Sequence, residues 1–318
     1  MRTNADIFFF DIEKSYLNRY TDTVHASNLW RTVIEKYPPE KLHEYTRRPS
    51  FELAKLSGDL AVALLWVTQA TLIKPLLKTA VANETNHQTL TLLKNISSDS
   101  VGALAIAEDK KVPFVVKEEN DTIILNGKKK YITGGAQSDF ILLTEKNHTD
   151  NKLSGILFLT TKDIPGNSLQ PLDMGCLSTS RHASLTMTDL HLPVENRLSI
   201  APKMIRKMLK TWGTIEQSLI MEAVTGLVLY MAAHFEAETG TQISSIDETE
   251  TKLQELSFEI DQQIKSAVQG EFILPIQIET KHLAAMLHEM KLTKKKVSKE
   301  LSYRFRDIQF FIEKVKSS

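Results

Sequence analysis

The sequence predicts a mainly α chain with a central β domain: N-terminal helices, a small antiparallel β barrel or sandwich, then a C-terminal helix bundle. Two observations carry this. Between Val101 and Ser199, short β-branched runs are separated by Asn-Gly, Gly-Gly and Pro-Gly pairs, the pattern of strands joined by tight turns. On either side of that stretch, apolar residues recur at the spacing of helices and no strand pattern appears. The implied division is 1–100, 101–200 and 201–318.

Taken in order, Pro38-Pro39 marks an early break. Ser50 is read as an N-cap, with Glu52 close behind, ahead of a buried helix running from Leu53 to Leu65 in which Gly58 is the weak point. Thr71 to Ala82 forms another helix, and Pro75 must either kink it or occupy its first turn. Thr85 to Asn95 is a short helix with Leu90, Leu92 and Leu93 inward. In the last third, Trp212 to Phe235 is apolar nearly all round and so belongs at the centre of a core; Gly240 ends it. Ile243 to Val268 carries a helical apolar period, Gly270 and Pro275 punctuate, and from Thr280 one long helix or two in line are expected. The charge run Lys291 to Lys299 reads as a solvated helix face.

Composition excludes several classes. Formal net charge is zero, with 39 basic and 39 acidic residues, which argues against nucleic-acid or membrane-surface partners that depend on bulk charge. The single cysteine, Cys176, forms no intramolecular disulfide, fits a reducing compartment and reads as a buried small residue. The opening MRTNADIFFFDIEK lacks the apolar core of a signal peptide, so a cytoplasmic protein is expected. The apolar stretches LAVALLWV and LIMEAVTGLVLYMAA are broken by polar residues or too short for a span of ~20 residues, and read as core helices. Nine histidines are scattered without ligand spacing, so no metal site is expected. No phosphate-binding, dinucleotide or hydrolase fingerprint is present.

Four words of the β region are informative together: LAIAE, NGKKKYITGG, LDMG and MTDLHLPVEN, in that order. They resemble the middle domain of the acyl-CoA dehydrogenases, with Ala107-Glu108-Asp109 at the strand end, Tyr131 in a place usually held by Trp, and Met187 to Asn196 closing the domain. The resemblance extends more weakly from about Leu60 to Phe235.

It implies a flavin, FAD, lying between the β domain and the C-terminal helices, and an acyl thioester carried on CoA or a carrier protein. A glutamate would remove the α proton and a hydride would pass from the β carbon to the flavin. Such chemistry needs a polarised carbonyl and a carboxylate within reach in a dry site; the hydride chemistry belongs to the cofactor. The positions matching the flavin-facing strand end are Leu104, Ile106 and Ala107. Those matching the segment beside the ring are Tyr131, Ile132 and Thr133, although the same three also suit a plain strand. Counting back from Gly226 places the base at Glu216. Independently, Glu216 shares a helix face with Ile220, Ala223, Leu227 and Met231, an arrangement costly for a carboxylate unless it has a partner or a function. It also suits an ordinary first-turn acid. Glu313 is out of register with the C-terminal base used by other members. The resemblance implies a homo-oligomer.

Departures from the family are equally legible. After Glu108 comes Asp109-Lys110-Lys111-Val112-Pro113, without the glycines that let backbone N–H groups approach an anion; Lys110 and Lys111 offer charge instead. The arginine expected near Glu236 to Gln242, and a Gly-rich segment between Lys281 and Leu301, are missing. Three readings therefore stand side by side: an acyl-thioester dehydrogenase, a flavin enzyme of the same fold with another substrate, and a flavin-free relative that serves as structural or regulatory partner of a paralogue.

Overall fold

The structure, a computed structural model, describes residues 23–45, 48–96, 100–147, 152–244, 246–271, 273, 281–292 and 298–316. Its helices are α1 (Thr23–Lys36), α2 (Pro49–Ser57), α3 (Leu60–Thr68), α4 (Lys74–Asn83), α5 (His87–Lys94), α6 (Pro202–Thr239), α7 (Ile246–Val268), α8 (Lys281–Leu292) and α9 (Lys299–Lys316). Among the described residues, seven strands lie between α5 and α6: β1 (Gly102–Ala105), β2 (Val115–Glu119), β3 (Thr122–Ile132), β4 (Phe140–Lys146), β5 (Leu153–Thr160), β6 (Leu169–Pro171) and β7 (Ala183–Pro193).

The chain forms two compact units, which cut across the three-part division by chain order. The first holds residues 1–67, 175–179 and 214–318; the second holds 68–174 and 180–213.

In the second unit the strands form two sheets, β1-β4-β5 and β2-β3-β7-β6. The pairing is antiparallel as expected, except that β1 runs parallel to β4. One core lies between the sheets, built from Ile141, Leu143, Leu157 and Leu159 on one side and Ile123, Leu125, Ile132, Leu185 and Met187 on the other. The opposite face of the three-stranded sheet packs Leu104, Phe140, Leu142, Ile156 and Phe158 against Ile73, Leu76, Ala80, Ile205 and Met208. That sheet is covered on both faces, so its strands read as continuous apolar runs.

Asn126-Gly127, read as a turn, lies instead inside β3. The hairpin turn is Asn120-Asp121, with Asn120 at φ 56°. Gly127 has another reason to be glycine: at φ 116°, a Cβ there would come 2.1 Å from the Pro113 carbonyl oxygen.

In the first unit, the single helix expected over Leu53–Leu65 is two. Gly58 adopts φ 65° and donates its N–H to the Ala54 carbonyl, closing α2 with a left-handed cap. Asp59 then starts α3 by accepting from the N–H groups of Ala61 (2.9 Å) and Val62 (3.2 Å). The cap of α2 is Arg48, with Pro49 in the first turn; Ser50 is buried and its hydroxyl donates to Glu222. In the second unit, Pro75 occupies the first turn of α4, directly after a π turn over Gln69–Ile73. The apolar helix is α6, longer than expected, and Gly240 at φ 65° follows its end. Among the described residues, two continuous helical stretches are long and apolar enough to cross a membrane, Leu60–Asn83 (α3, the π turn and α4) and Pro202–Thr239, and 83% of the most apolar window of each is buried in the protein. Cys176 is buried and free. The run Lys291 to Lys299 lies mostly outside the described residues.

Candidate functional site

The candidate wall is made where the chain changes sheets. β1 ends at Ala105, and the next residues leave it to pair with β3: the Ala107 carbonyl accepts from Lys130 N–H at 2.9 Å, and Glu108 bridges to Lys129. Ile106 and Ala107 are thereby set beside Tyr131.

The orientation of Tyr131 depends on an irregularity. Along β3 the inward positions are Ile123, Leu125, Gly127 and Lys129, so strict alternation would turn residue 131 inward. Between the pairs Lys129–Leu185 and Ile132–Ala183, however, β3 uses one residue more than β7, and Tyr131 takes φ 57°. This bulge re-aims the side chains. Ile132 enters the core and Tyr131 is 58% exposed, beside Ile106 at 42%. Ile106, Ala107 and Tyr131 thus form one exposed apolar and aromatic surface with Thr133, half-buried, next along the chain.

The remaining expected wall residues sit differently. The side chains of Leu104 and Ile132 are buried, Leu104 in the helix-facing core and Ile132 between the sheets. Only their backbone is at hand for a ligand.

Lys129 is the group behind this surface. Its ammonium has no solvent exposure and lies 2.8 Å from the Thr144 carbonyl, 3.2 Å from Glu108 Oε1, 3.4 Å from the Ile106 carbonyl and 4.3 Å from the centre of the Phe114 ring. Burial pulls its pKa down to about 8, against the opposing pull of Glu108. One side chain so ties the strand end of β1 to β3 and β4. It stands in the NGKKKYITGG segment, but the sequence does not distinguish it from its lysine neighbours.

Thr133 Oγ1 is 3.2 Å from His182 Nε2, and His182 Nδ1 hydrogen-bonds the Ser180 hydroxyl. The segments are laced together by Gly134 N–H to the Ser180 carbonyl (2.9 Å) and Ala136 N–H to the Arg181 carbonyl (3.1 Å). Sequence reasoning missed His182, since nothing local links it to a residue 49 positions earlier.

The glycine-free loop is a tight turn. Val112 N–H donates to the Asp109 carbonyl (3.1 Å), Lys111 N–H to Asp109 Oδ1 (3.0 Å), and Lys130 pairs with Asp109 Oδ2 at 2.7 Å. Two of its N–H groups are therefore already engaged, while Lys110 and Lys111 project as exposed cations.

Glu216 belongs to the other unit. It lies on α6, half-buried, at the head of a stripe whose members Ala223, Leu227 and Met231 are fully buried. A deeper carboxylate lies farther along the same helix. Glu222 is 2% exposed and accepts from Arg48 Nε (2.8 Å) and Nη2 (2.9 Å) and from Ser257 Oγ (2.6 Å), as well as from Ser50. Arg48 also pairs with Asp261 and donates to the Ser257 carbonyl (2.9 Å). Every lone-pair direction of Glu222 that matters is held within the protein, so this acid is a structural tie among α2, α6 and α7. Glu313 lies on α9 with its side chain outside the described residues.

No protein-family model matches the chain, and no curated protein sequence does. Solved structures do. Butyryl-CoA dehydrogenase from Megasphaera elsdenii aligns with a TM-score of 0.63 at 15% identity, covering 98% of this chain and 94% of that one. The FAD complex of PigA gives a TM-score of 0.66 at 11% identity, over 97% and 93%. KijD3 in complex with FMN and a dTDP-linked amino keto sugar gives 0.69 at 12% identity, over 97% and 89%. The fold is acyl-CoA-dehydrogenase-like.

Proposed function

We propose that the chain is a flavin-dependent oxidoreductase that oxidises an acyl thioester at its α and β carbons. The observation that carries this reading is the bulge at Tyr131, which sets an aromatic ring, two apolar side chains and a hydroxyl at one surface in a fold shared with the FAD complex of PigA. That set suits a flat, apolar, polar-edged ring: Tyr131, Ile106 and Ala107 would lie against FAD and Thr133 would hydrogen-bond its edge. When bound, the flavin would accept the hydride. Glu216, half-buried at the head of an apolar stripe on α6, would take the α proton. The carrier is CoA or a carrier protein, and the chain works as a homo-oligomer or with a paralogue.

A second reading is favoured by a specific observation. In the Asp109–Val112 turn, backbone N–H groups that an anion would need are bonded to Asp109. This supports a flavin-free relative acting as a structural or regulatory partner. A third, a flavin enzyme with a different substrate, draws on KijD3, whose complex holds FMN and a nucleotide sugar in a similar fold.

A visible spectrum of the purified protein, desalted after mixing with FAD or FMN, separates the first and third readings from the second. A retained flavin band supports catalysis; its absence with both flavins rejects it. With flavin bound, acyl thioesters are expected to bleach the band. Glu216→Gln is expected to abolish bleaching while leaving the flavin in place, and unchanged bleaching would remove Glu216 as the base.

A further inference from the structure

The pair Thr133–His182 has a property that the wall residues alone lack. A threonine hydroxyl carries one proton, and a neutral imidazole carries one N–H. With the proton on Nε2, His182 donates to Thr133 Oγ1, and the threonine proton must point away from the ring, where it is offered as a donor. With the proton on Nδ1, His182 donates to Ser180, and Nε2 takes the threonine proton, leaving Thr133 an acceptor. The state of one half-buried contact thus chooses the hydrogen-bonding sign of an atom at the wall.

The surroundings hold this geometry firmly. Ser180 is fully buried, the 133–136 and 180–182 segments share two backbone hydrogen bonds, and Leu172 N–H donates to the His182 carbonyl at 2.8 Å. Tyr131 at φ 57° and Arg181 at φ 48° flank the pair, and both are side-chain-bearing residues in a region that favours glycine. Strain of this kind costs about 1–3 kcal/mol per residue and persists where the surroundings demand it, often at functional sites.

We propose that His182 is a positioning residue which, through its Nε2–H, presents the Thr133 hydroxyl as a donor toward the oxidised flavin. The inference rests on the flavin reading above. The edge of an oxidised flavin ring offers acceptors, whereas the reduced ring gains an N–H. A contact whose sign follows the His182 tautomer, with one proton taken up at one ring nitrogen, one released from the other and the two hydroxyls turning while each keeps its own proton, therefore matches both states.

The test uses the full chain with FAD, and FMN in parallel. Thr133→Val and His182→Phe are each expected to weaken binding of the oxidised flavin about five- to tenfold, the range of a single net hydrogen bond. The double variant is expected to be no weaker than either single one, because both remove the same interaction. Both should also shift the midpoint potential of the bound flavin, which a merely structural role would leave alone. Side-chain 15N spectra of the protein with and without flavin report the tautomer directly. Nε2–H is expected in the oxidised complex, and Ser180→Ala, a small change kept in case His182→Phe fails to fold, is expected to alter the Nδ1 signal.

If the wild type binds neither flavin, the functional reading and this inference fall together. If it binds flavin but the single effects add, or the affinity and potential do not move, or the oxidised complex carries Nδ1–H, the inference falls and the functional reading stands.

Discussion

At the scale of single residues, α6 shows how far periodicity carries and where it ends. The stripe Glu216, Ile220, Ala223, Leu227, Met231 is legible from spacing, and its inner members are buried. Glu222 falls on another stripe, Ile215, Leu219, Glu222, Gly226, of a helix apolar nearly all round. A lone acid there was a signal of burial, but its partner Arg48 lies 174 positions away, beyond any local pattern. Energetically the tie is asymmetric. Removing one member of a buried pair strands the other, at a cost of about 3–5 kcal/mol, while replacing both by apolar groups is often nearly neutral. Arg48→Met is therefore expected to lower unfolding free energy by about 3 kcal/mol or more. Arg48→Met with Glu222→Met is expected to lower it by clearly less than the sum of the single changes. Urea denaturation of the wild type, both single variants and the double variant measures this, and strict additivity would show that the two side chains are not coupled.

At the scale of elements, strand and helix types follow from local chemistry, but bends and bulges do not. The break between α2 and α3 is visible as Gly58-Asp59, a left-handed cap followed by an N-cap, yet the apolar residues on either side read as one helix. The misread turn in β3 is of the same kind. Asn-Gly is a strong hairpin signal, but here the glycine is required by the backbone of Pro113–Phe114 passing against the strand. The bulge at Tyr131 is invisible because Lys128, Lys129 and Lys130 are identical and so carry no sign of which faces inward before Tyr131 and Ile132. The six candidate wall residues came from the resemblance, and the irregularity that turns Tyr131 out while Leu104 and Ile132 are buried was not legible. A contrast between glycines tests the argument. Gly127→Ala must push back a backbone carbonyl and hold φ 116°, so it is expected to destabilise the protein by about 2 kcal/mol or more. At Gly166 an added Cβ meets nothing within 4 Å. Gly166→Ala is expected to change stability by less than about 0.5 kcal/mol. Equal losses in thermal or urea unfolding would refute the close-approach explanation.

At the scale of the whole molecule, the order of helices, strands and helices was readable because each element type repeats its own period over many residues. The grouping into two units was not, because it depends on long-range contacts: residues 68–94 pack with the strands, and 175–179 leave them. Each unit also holds a deeply buried ionisable group whose charge is penalised, and neither of these two was apparent from sequence. In the first, burial and the nearby Asp307 raise the Asp59 carboxyl to about 6 from 3.8. In the second, burial lowers Lys129 to about 8 from 10.5. The signs follow from linkage. Between about pH 4 and 6, the folded state keeps the Asp59 proton that the unfolded state has lost, so stability falls as pH rises through this window. Between about pH 8 and 10.5, the unfolded state keeps the Lys129 proton that the folded state has lost, so stability rises again. Together these two groups produce a trough from about pH 6 to 8. Asp59→Asn keeps a good helix cap without the charge. Relative to wild type, its melting temperature is therefore expected to gain progressively from pH 4 to 6 and to hold that gain at higher pH. Lys129→Met loses the ammonium's hydrogen bonds at every pH but also its buried charge, so its deficit against wild type is expected to widen from pH 8 to 10. Melting curves of the three proteins over pH 4–10 decide the matter. A pH-independent difference for Asp59→Asn would mean that this carboxyl is not held protonated by burial in the folded chain.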